Sequence, residues 1–216
     1  MIDNLLKNTL LDDYGISGRS KIVLTTHTAT GIFQKCDPAA CSSCKAKMAD
    51  RANCDEMVMT INAGNNNLII VEHEEYVKQF GGRQIATGGR CDLLICDDTY
   101  SNKIMFCELG CYLEKYFEQK KAKARKQTTD SFVRLLNKPS GLAFINQFNQ
   151  KELAFFRRDS ALIQNSTSPQ RGDVLQNMQA FITNAATESA YIASNETVNG
   201  IPIKFIIVNY PTIYEW

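Results

Sequence analysis

The chain has almost no net charge and is poor in several features that mark functional classes. Its 216 residues carry 24 lysines and arginines against 23 acids, so the formal charge of +1 gives no overall signal of nucleic-acid binding. Only two histidines are present. Neither lies near Cys111 in the sequence, which disfavours a cysteine–histidine nucleophile there. No stretch approaches the roughly 18 consecutive apolar residues that a membrane span requires.

The first residues also lack the features of a secretory signal. The segment MIDNLLKNTLLDDYG has acids within a short apolar pattern and no basic start. We therefore expect a soluble, cytoplasmic protein with no membrane partner. In that reducing compartment the eight cysteines are expected to be thiols or metal ligands rather than disulfides.

Apolar periodicity and turn residues predict a mixture of helices and strands. The expected elements are a helix over Ile2–Leu11, a strand over Lys21–Thr28, a hairpin of Met57–Asn62 and Leu68–Glu72, strands over Asp92–Cys96 and Ile104–Leu109, a helix over Cys111–Leu136, a strand over Glu152–Phe156, a helix over Asp173–Ala185 and a strand over Ile203–Val208. This order predicts an α/β protein. We expect one compact unit, with an N-terminal part (residues 1–56) and a core (residues 57–216).

The most informative segment is residues 89–110, GRCDLLICDDTYSNKIMFCELG. Asp92 opens one predicted strand and Glu108 closes the next. Two adjacent strands would bring these carboxylates together, and a few carboxylates plus water and phosphate are the ligands that Mg²⁺ prefers. Taken singly, each acid could equally be a capping or solvated group, but their joint spacing favours a metal site.

The run RCDLLICDD, a short turn, KIMFCELG, a helix with KARKQ and the strand ELAFFRR resemble the PD-(D/E)XK, or restriction-endonuclease-like, nuclease superfamily over residues 68–158. The resemblance implies a central mixed β-sheet flanked by helices, and Mg²⁺- or Mn²⁺-dependent hydrolysis of DNA or RNA. It makes Asp92, Glu108 and the backbone carbonyl of Leu109 metal ligands, and it matches Gln127 to the glutamine of the following helix. A role in bacterial antiviral defence would suit such a protein.

Gly110 stands where this motif has a lysine, which orients the attacking water and neutralises charge in the transition state. Two explanations are open. A lysine of the next helix, Lys115, Lys120 or Lys123, could replace it, whereas Lys103 lies at the far end of its strand. Alternatively, catalysis is lost, and the scaffold is an adaptor for nucleic acid, for a partner protein or for a second copy of itself.

Positive charge is concentrated next to this motif. The residues expected to contact a phosphate backbone are Lys120, Lys121, Lys123, Arg125, Lys126, Arg157 and Arg158. The alternative is a solvated helix face, with the two arginines paired to acids on a sheet edge.

The cysteines form two groups. The candidate ligands of a structural zinc ion are Cys36, Cys41, Cys44 and Cys54, because CSSC resembles a zinc knuckle. An iron–sulfur cluster and free thiols are the alternatives for these four. The second group lies in or beside apolar strands and is expected to be buried as small hydrophobic residues, and it consists of Cys91, Cys96, Cys107 and Cys111.

Overall fold

A computed structural model describes residues 1–17, 21–37, 57–159 and 191–216. Cys41, Cys44, Cys54 and the predicted helix Asp173–Ala185 lie outside these ranges. Within them, no helix combines the length and apolar character needed to cross a bilayer.

Helices and strands are interspersed along the chain. The helical segments are α1 (Ile2–Asn4), a π-helical turn (Leu5–Thr9), α2 (Leu10–Asp13), α3 (His73–Lys78), 3₁₀ turns at Gln84–Ala86 and Glu114–Tyr116, α4 (Phe117–Leu136) and α5 (Pro139–Ile145). The strands are β1 (Thr26–Ala29), β2 (Ile32–Cys36), β3 (Met57–Asn62), β4 (Leu68–Glu72), β5 (Leu93–Asp97), β6 (Lys103–Tyr112), β7 (Gln150–Asp159), β8 (Tyr191–Val198), β9 (Ile201–Asn209) and β10 (Tyr214–Glu215).

Seven strands form a mixed sheet in the order β1-β4-β5-β6-β7-β9-β8. Strands β4, β5 and β6 are antiparallel neighbours, whereas β6–β7 and β7–β9 are parallel. A parallel connection needs a crossover, and α4 and α5 supply it between β6 and β7. The predicted α/β class with a mixed sheet is confirmed.

The predicted hairpin of β3 and β4 is wrong. Strand β3 lies in a second, three-stranded sheet, antiparallel to β2 and parallel to β10. Val58 and Ile61 of β3 belong to the same buried cluster as Leu68 and Ile70 of β4. The small sheet packs on one face of the large sheet, where β3 contacts β6 and β7 rather than pairing with β4. The turn residues of AGNNN reverse the chain whether β3 and β4 pair in one sheet or belong to two stacked sheets. They therefore could not distinguish the two arrangements.

The large sheet has a core on each face. Leu94 and Phe106 belong to the cluster under the helices, while Leu93 and Met105 belong to the cluster between the two sheets. Successive side chains of a strand alternate between faces, so the same alternation directs Glu108 to the helical side of β6.

Two boundaries differ from the sequence prediction. Strand β6 continues to Tyr112, so the predicted helix start at Cys111 is wrong, and α4 begins at Phe117 after the 3₁₀ turn. Strand β7 extends to Asp159 and includes both arginines of ELAFFRR. Cys91, Cys96 and Cys107 are fully buried, as predicted, and Cys111 is partly exposed.

A buried polar network joins the two sheets. Lys103 Nζ donates to the Tyr214 hydroxyl at 2.9 Å and lies 3.9 Å from Glu152 Oε2. The Tyr214 hydroxyl donates to the same carboxylate oxygen at 2.6 Å. Lys103 is 5% exposed and lies at the opposite end of β6 from Glu108.

The corner between α4 and α5 depends on Gly141. A Cβ at this position would lie 2.3 Å from the carbonyl oxygen of Leu135, which belongs to the backbone and cannot rotate away. Gly141 lies within α5, where helix propensity alone favours alanine over glycine by about 1 kcal/mol. Packing and propensity thus oppose each other here.

We expect Gly141→Ala to destabilise the protein by roughly 2 kcal/mol or more, because the close helix packing outweighs propensity. Chemical denaturation measures the change. Gly81→Ala is the matched control, since its Cβ would meet nothing closer than 3.9 Å. Equal stability of Gly141→Ala and the wild type would contradict the close approach of the two helices.

Candidate functional site

Asp92 and Glu108 come together where β5 begins, beside the middle of β6. Leu93 is paired with Cys107, so one further step of the antiparallel register places Asp92 opposite Glu108. Opposite residues project to the same face with Cβ atoms about 5 Å apart. Asp92 Oδ2 accepts a hydrogen bond from the Leu109 amide at 2.7 Å. Its backbone carbonyl accepts one from the His73 amide at 2.9 Å.

Glu108 is a buried carboxylate, 8% exposed. Its Oε2 is buried and has no hydrogen-bond partner in the described part of the chain. The pKa of Glu108 is raised to about 9, first by burial and then by the charge of Asp92, while the charge of Lys123 opposes the shift. Burial likewise raises the pKa of Asp92 to about 7, against the hydrogen bond from the Leu109 amide. An unpartnered buried acid is costly, so the site favours a proton or a cation.

Two further carboxylates surround the pair. Asp37 accepts a hydrogen bond from the Cys111 amide at 3.3 Å, and the Glu74 amide donates to the Asp92 carbonyl at 3.3 Å. The charges of both acids raise the pKa of Asp92 and of Glu108. Sequence reasoning missed Asp37, because it reaches the site from the residue after β2 and no local motif marks it.

Two lysines balance part of this negative charge. Lys123, one of the three candidates for the displaced motif lysine, is exposed on α4 and gives the largest opposing contribution at Glu108. Lys35, on β2, was not a candidate. Its ammonium forms an ion pair with Glu72, and its charge lowers the pKa of Asp92. The structure thus brings a lysine toward each acid.

Aromatic side chains occupy the space beside Gly110. A Cβ at this position would lie 2.9 Å from Tyr112 Cε1 and 3.1 Å from Phe155 Cε2. The two rings are stacked, with centroids 6.0 Å apart and planes at 8°. The glycine is therefore a packing requirement. Of the other candidate lysines, Lys115 is exposed and lies 5.0 Å from the Tyr116 ring centroid, and Lys120 is exposed.

One face of α4 holds the loop that leads into Asp92. Four side chains at helical spacing bind the backbone of residues 87–91: Gln127 Nε2 donates to Arg90 O (2.8 Å), Asp130 accepts from Gly89 N (2.6 Å), Ser131 Oγ accepts from Cys91 N (2.9 Å), and Arg134 donates to Gly89 O (2.7 Å) and Thr87 O (3.1 Å). Gln127, expected at the catalytic centre, is thus a positioning residue in this geometry. Its Oε1 is buried without a partner among the described residues.

Several of the predicted nucleic-acid contacts are already engaged within the protein. On α4, Lys121 lies 3.3 Å from Glu118, Lys126 lies 2.5 Å from Asp130, and Arg125 forms an ion pair with Glu196. Lys120 and Lys123 form no ion pair with any residue in the described ranges. These two are therefore the cations of α4 that are most available to a phosphate backbone.

The two arginines of β7 are also engaged. Arg157 lies 2.5 Å from Glu114 Oε2 and 4.1 Å from the Phe117 ring centroid. Arg158 is buried, donates to the Met57 carbonyl at 3.1 Å and stacks over Tyr210. Arg157 pairs with an acid, as in the alternative open from sequence, whereas Arg158 contacts a carbonyl and an aromatic ring; β7 is an interior strand and not a sheet edge.

The described residues contain no preformed metal cage. No group of three or more His, Cys, Asp and Glu side chains within these ranges converges to hold an ion. A magnesium site does not require one, since Mg²⁺ commonly uses one or two carboxylates together with water and substrate phosphate. Cys36 is buried at the end of β2, and its three predicted zinc partners lie outside the described residues, so the zinc site stays a prediction.

Comparisons with known proteins add no assignment. No family model, no curated protein and no solved structure matches the chain. The residues and their geometry therefore carry the functional argument.

The raised pKa of Glu108 predicts a pH-dependent stability. The folded state keeps a proton on this residue up to about pH 9, whereas the unfolded chain loses it near its ordinary pKa. The contribution to the free energy of unfolding is fully present below the pKa that Glu108 has in the unfolded chain. It is lost as the pH rises through the pKa that Glu108 has in the folded protein. Between pH 7 and 8.5 we expect the metal-free protein to lose up to about 2 kcal/mol.

Thermal unfolding of wild type and Glu108→Gln in EDTA measures this contribution. The glutamine variant cannot ionise, so its melting temperature should fall less over the same interval. The comparison also cancels the common effects of buried cysteines and exposed groups. Parallel pH profiles for the two proteins would show that Glu108 is not the titrating residue.

The rings packed beside Gly110 leave no room for a lysine side chain at this position. We expect Gly110→Lys to cost roughly 1–3 kcal/mol of stability, because its Cβ meets packed aromatic atoms. A double-mutant cycle with Tyr112→Ala tests the cause by chemical denaturation. The lysine should cost less when the Tyr112 ring is absent. The same cost in both backgrounds would exclude Tyr112 as the obstacle.

Proposed function

We propose that this chain is a metal-dependent phosphodiesterase acting on DNA or RNA through a degenerate PD-(D/E)XK site. The observation that carries the proposal is the buried, unpartnered Glu108 Oε2 opposite Asp92. Two acids with strongly raised pKa values at the ends of adjacent strands are a recognised sign of a functional site. Their hard oxygen donors suit Mg²⁺ or Mn²⁺.

The topology supports a restriction-endonuclease-like core. An antiparallel meander, β4–β5–β6, is followed by the helical crossover and by β7, which is parallel to β6. Asp92 directly precedes the second strand of this meander, and Glu108 lies in the middle of the third. An acid on each of two adjacent strands supports the proposal.

In this proposal, Asp92, Glu108 and the backbone carbonyl of Leu109 hold the ion. The bound ion would polarise the scissile phosphate and lower the pKa of an attacking water. Both carboxyl groups must lose protons to become ligands, so metal binding releases protons and strengthens as pH rises. Asp92 is preset for this role, because the Leu109 amide fixes its carboxylate.

Lys123 is the proposed substitute for the missing motif lysine. It approaches from α4, on the face toward which β6 directs Glu108, and its charge already acts on that residue. Lys35 has a different role, because Glu72 holds it. It reduces the repulsion between Asp92 and the surrounding acids without contacting the reacting phosphate. Lys120 and Lys123 together offer charge for the nucleic-acid backbone.

A non-catalytic adaptor is the second candidate function. It is favoured by one observation, which is that the stacked rings of Tyr112 and Phe155 fill the space beside Gly110. A scaffold that has closed this position could still bind nucleic acid or a partner protein through α4. The two proposals differ in whether divalent metal produces cleavage.

Cleavage assays with labelled single- and double-stranded DNA and RNA decide between them. We expect cleavage in Mg²⁺ or Mn²⁺ and none in EDTA. Asp92→Asn and Glu108→Gln should each reduce the rate by on the order of a hundredfold or more, because a metal ligand is lost. Lys123→Ala should reduce the rate by on the order of tenfold or more, because a charge near the reacting phosphate is removed.

Asp98→Asn is the matched control, since Asp98 is exposed in the β5–β6 turn and its side chain accepts a hydrogen bond from Asn67. It should cleave like the wild type. Absence of metal-dependent cleavage on all four substrates, or an Asp92→Asn variant as active as the wild type, would reject the enzyme and favour the adaptor. Melting curves establish that each variant is folded.

A further inference from the structure

A surface cleft lies beside the second half of α4, and its lining includes Asp130 and Arg134, which also hold the 87–91 loop. Its volume is about 370 Å³, near the lower end of small-molecule sites. The lining includes the end of the N-terminal helical segment, the loop before Asp92 and the second half of α4. The lining residues that matter here are Tyr14, Thr87, Lys126, Asp130, Arg134 and Lys138.

Arg134 forms part of this lining and is 5% exposed. Its guanidinium donates to Ser131 Oγ at 3.3 Å and to the carbonyls of Thr87 and Gly89, which are all neutral groups. Its Nε is buried and has no partner in the described part of the chain. No carboxylate of the described residues lies within ion-pair distance of Arg134. A buried cation with neutral partners alone is costly, and an anion would relieve that cost.

The nearby acid does not supply this anion. Asp130 Oδ2 accepts hydrogen bonds from Lys126 Nζ at 2.5 Å and from the Gly89 amide at 2.6 Å. Of the three cations in the lining, Lys126 is paired with Asp130, so Arg134 and Lys138 are the two that have no carboxylate partner among the described residues. Lys138 lies 4.2 Å from the centroid of the Tyr14 ring, which places its ammonium beside an aromatic wall.

We propose that the cleft is a second binding site, which takes the phosphate group of a nucleotide. Arginine and lysine are the usual protein partners of phosphate. The cleft is also larger than a single phosphate group, which leaves space for the rest of a nucleotide. The nucleotide is either free or part of a strand lying along α4. The site needs no metal and is independent of the proposed cleavage. Thr87 lines the cleft and belongs to the loop that leads into Asp92. A ligand bound in the cleft would therefore lie against the backbone that positions Asp92.

Isothermal titration in EDTA, with Asp92→Asn as the background, tests the cleft without any contribution of metal or cleavage. The probes are inorganic phosphate, adenosine 5′-monophosphate and a 12-nucleotide single-stranded DNA. We expect at least one to bind, and Lys126→Gln/Lys138→Gln to weaken it at least tenfold. Both side chains retain solvent exposure, so this variant is expected to fold. Lys7→Gln/Lys21→Gln removes the same charge outside the cleft lining and should change affinity less than twofold.

Binding of the monophosphate or of phosphate assigns the cleft to a free nucleotide, and binding of the DNA alone assigns it to a strand. Either result supports the proposal if the cleft variant loses it and the control variant keeps it. The proposal is overturned if none of the three probes binds. It is also overturned if the two double variants weaken binding equally. The cleavage assay can fail while this titration succeeds, and the reverse, so the two proposals are separable.

Discussion

The contact between α4 and the backbone of residues 87–91 is the constraint on which the functional region depends. Side chains at four positions of one helical face bind consecutive amides and carbonyls of that loop, and Asp92 follows immediately. The same helix presents Lys123 near Glu108 and lines the basic cleft with Arg134. One rigid element therefore sets the relative positions of an acid, a lysine and a cation-lined cleft. An α-helix of this length suits that role, because its internal hydrogen bonds fix its side chains relative to one another.

Strand β6 changes character over a few residues. Glu108, Gly110 and Tyr112 are alternate residues of β6, so their side chains share one face of the strand. Along that face a buried acid is followed by a glycine, which has no side chain, and then by an aromatic ring. The glycine lets the Tyr112 ring stack on Phe155 next to the acid. Glu108 is itself buried, and burial is the main cause of its raised pKa.

Much of this arrangement was predictable from local sequence. The carboxylates at Asp92 and Glu108 lie on adjacent strands because apolar runs and a short polar turn encode such a meander. The long helix and the buried cysteines follow from periodicity in the same way. What escaped prediction depends on distant parts of the chain. Lys35 and Asp37 reach the site from the end of β2, and no residue spacing reveals that approach. The pairing of β3 with β2 and β10, rather than with β4, depends on which apolar faces stack, and turn residues carry no information about that choice.

The network of Lys103, Tyr214 and Glu152 has a consequence for how the molecule unfolds. Its hydroxyl lies 111 residues beyond the lysine, on a strand that completes the small sheet, while the lysine and the glutamate belong to the large one. Removing the small sheet would leave a lysine and a glutamate without the hydroxyl that bridges them, in a place that excludes water. Partial opening is therefore unfavourable at this point. We therefore expect the two sheets to unfold together, with amide protons on either side of the network exchanging through a common opening event.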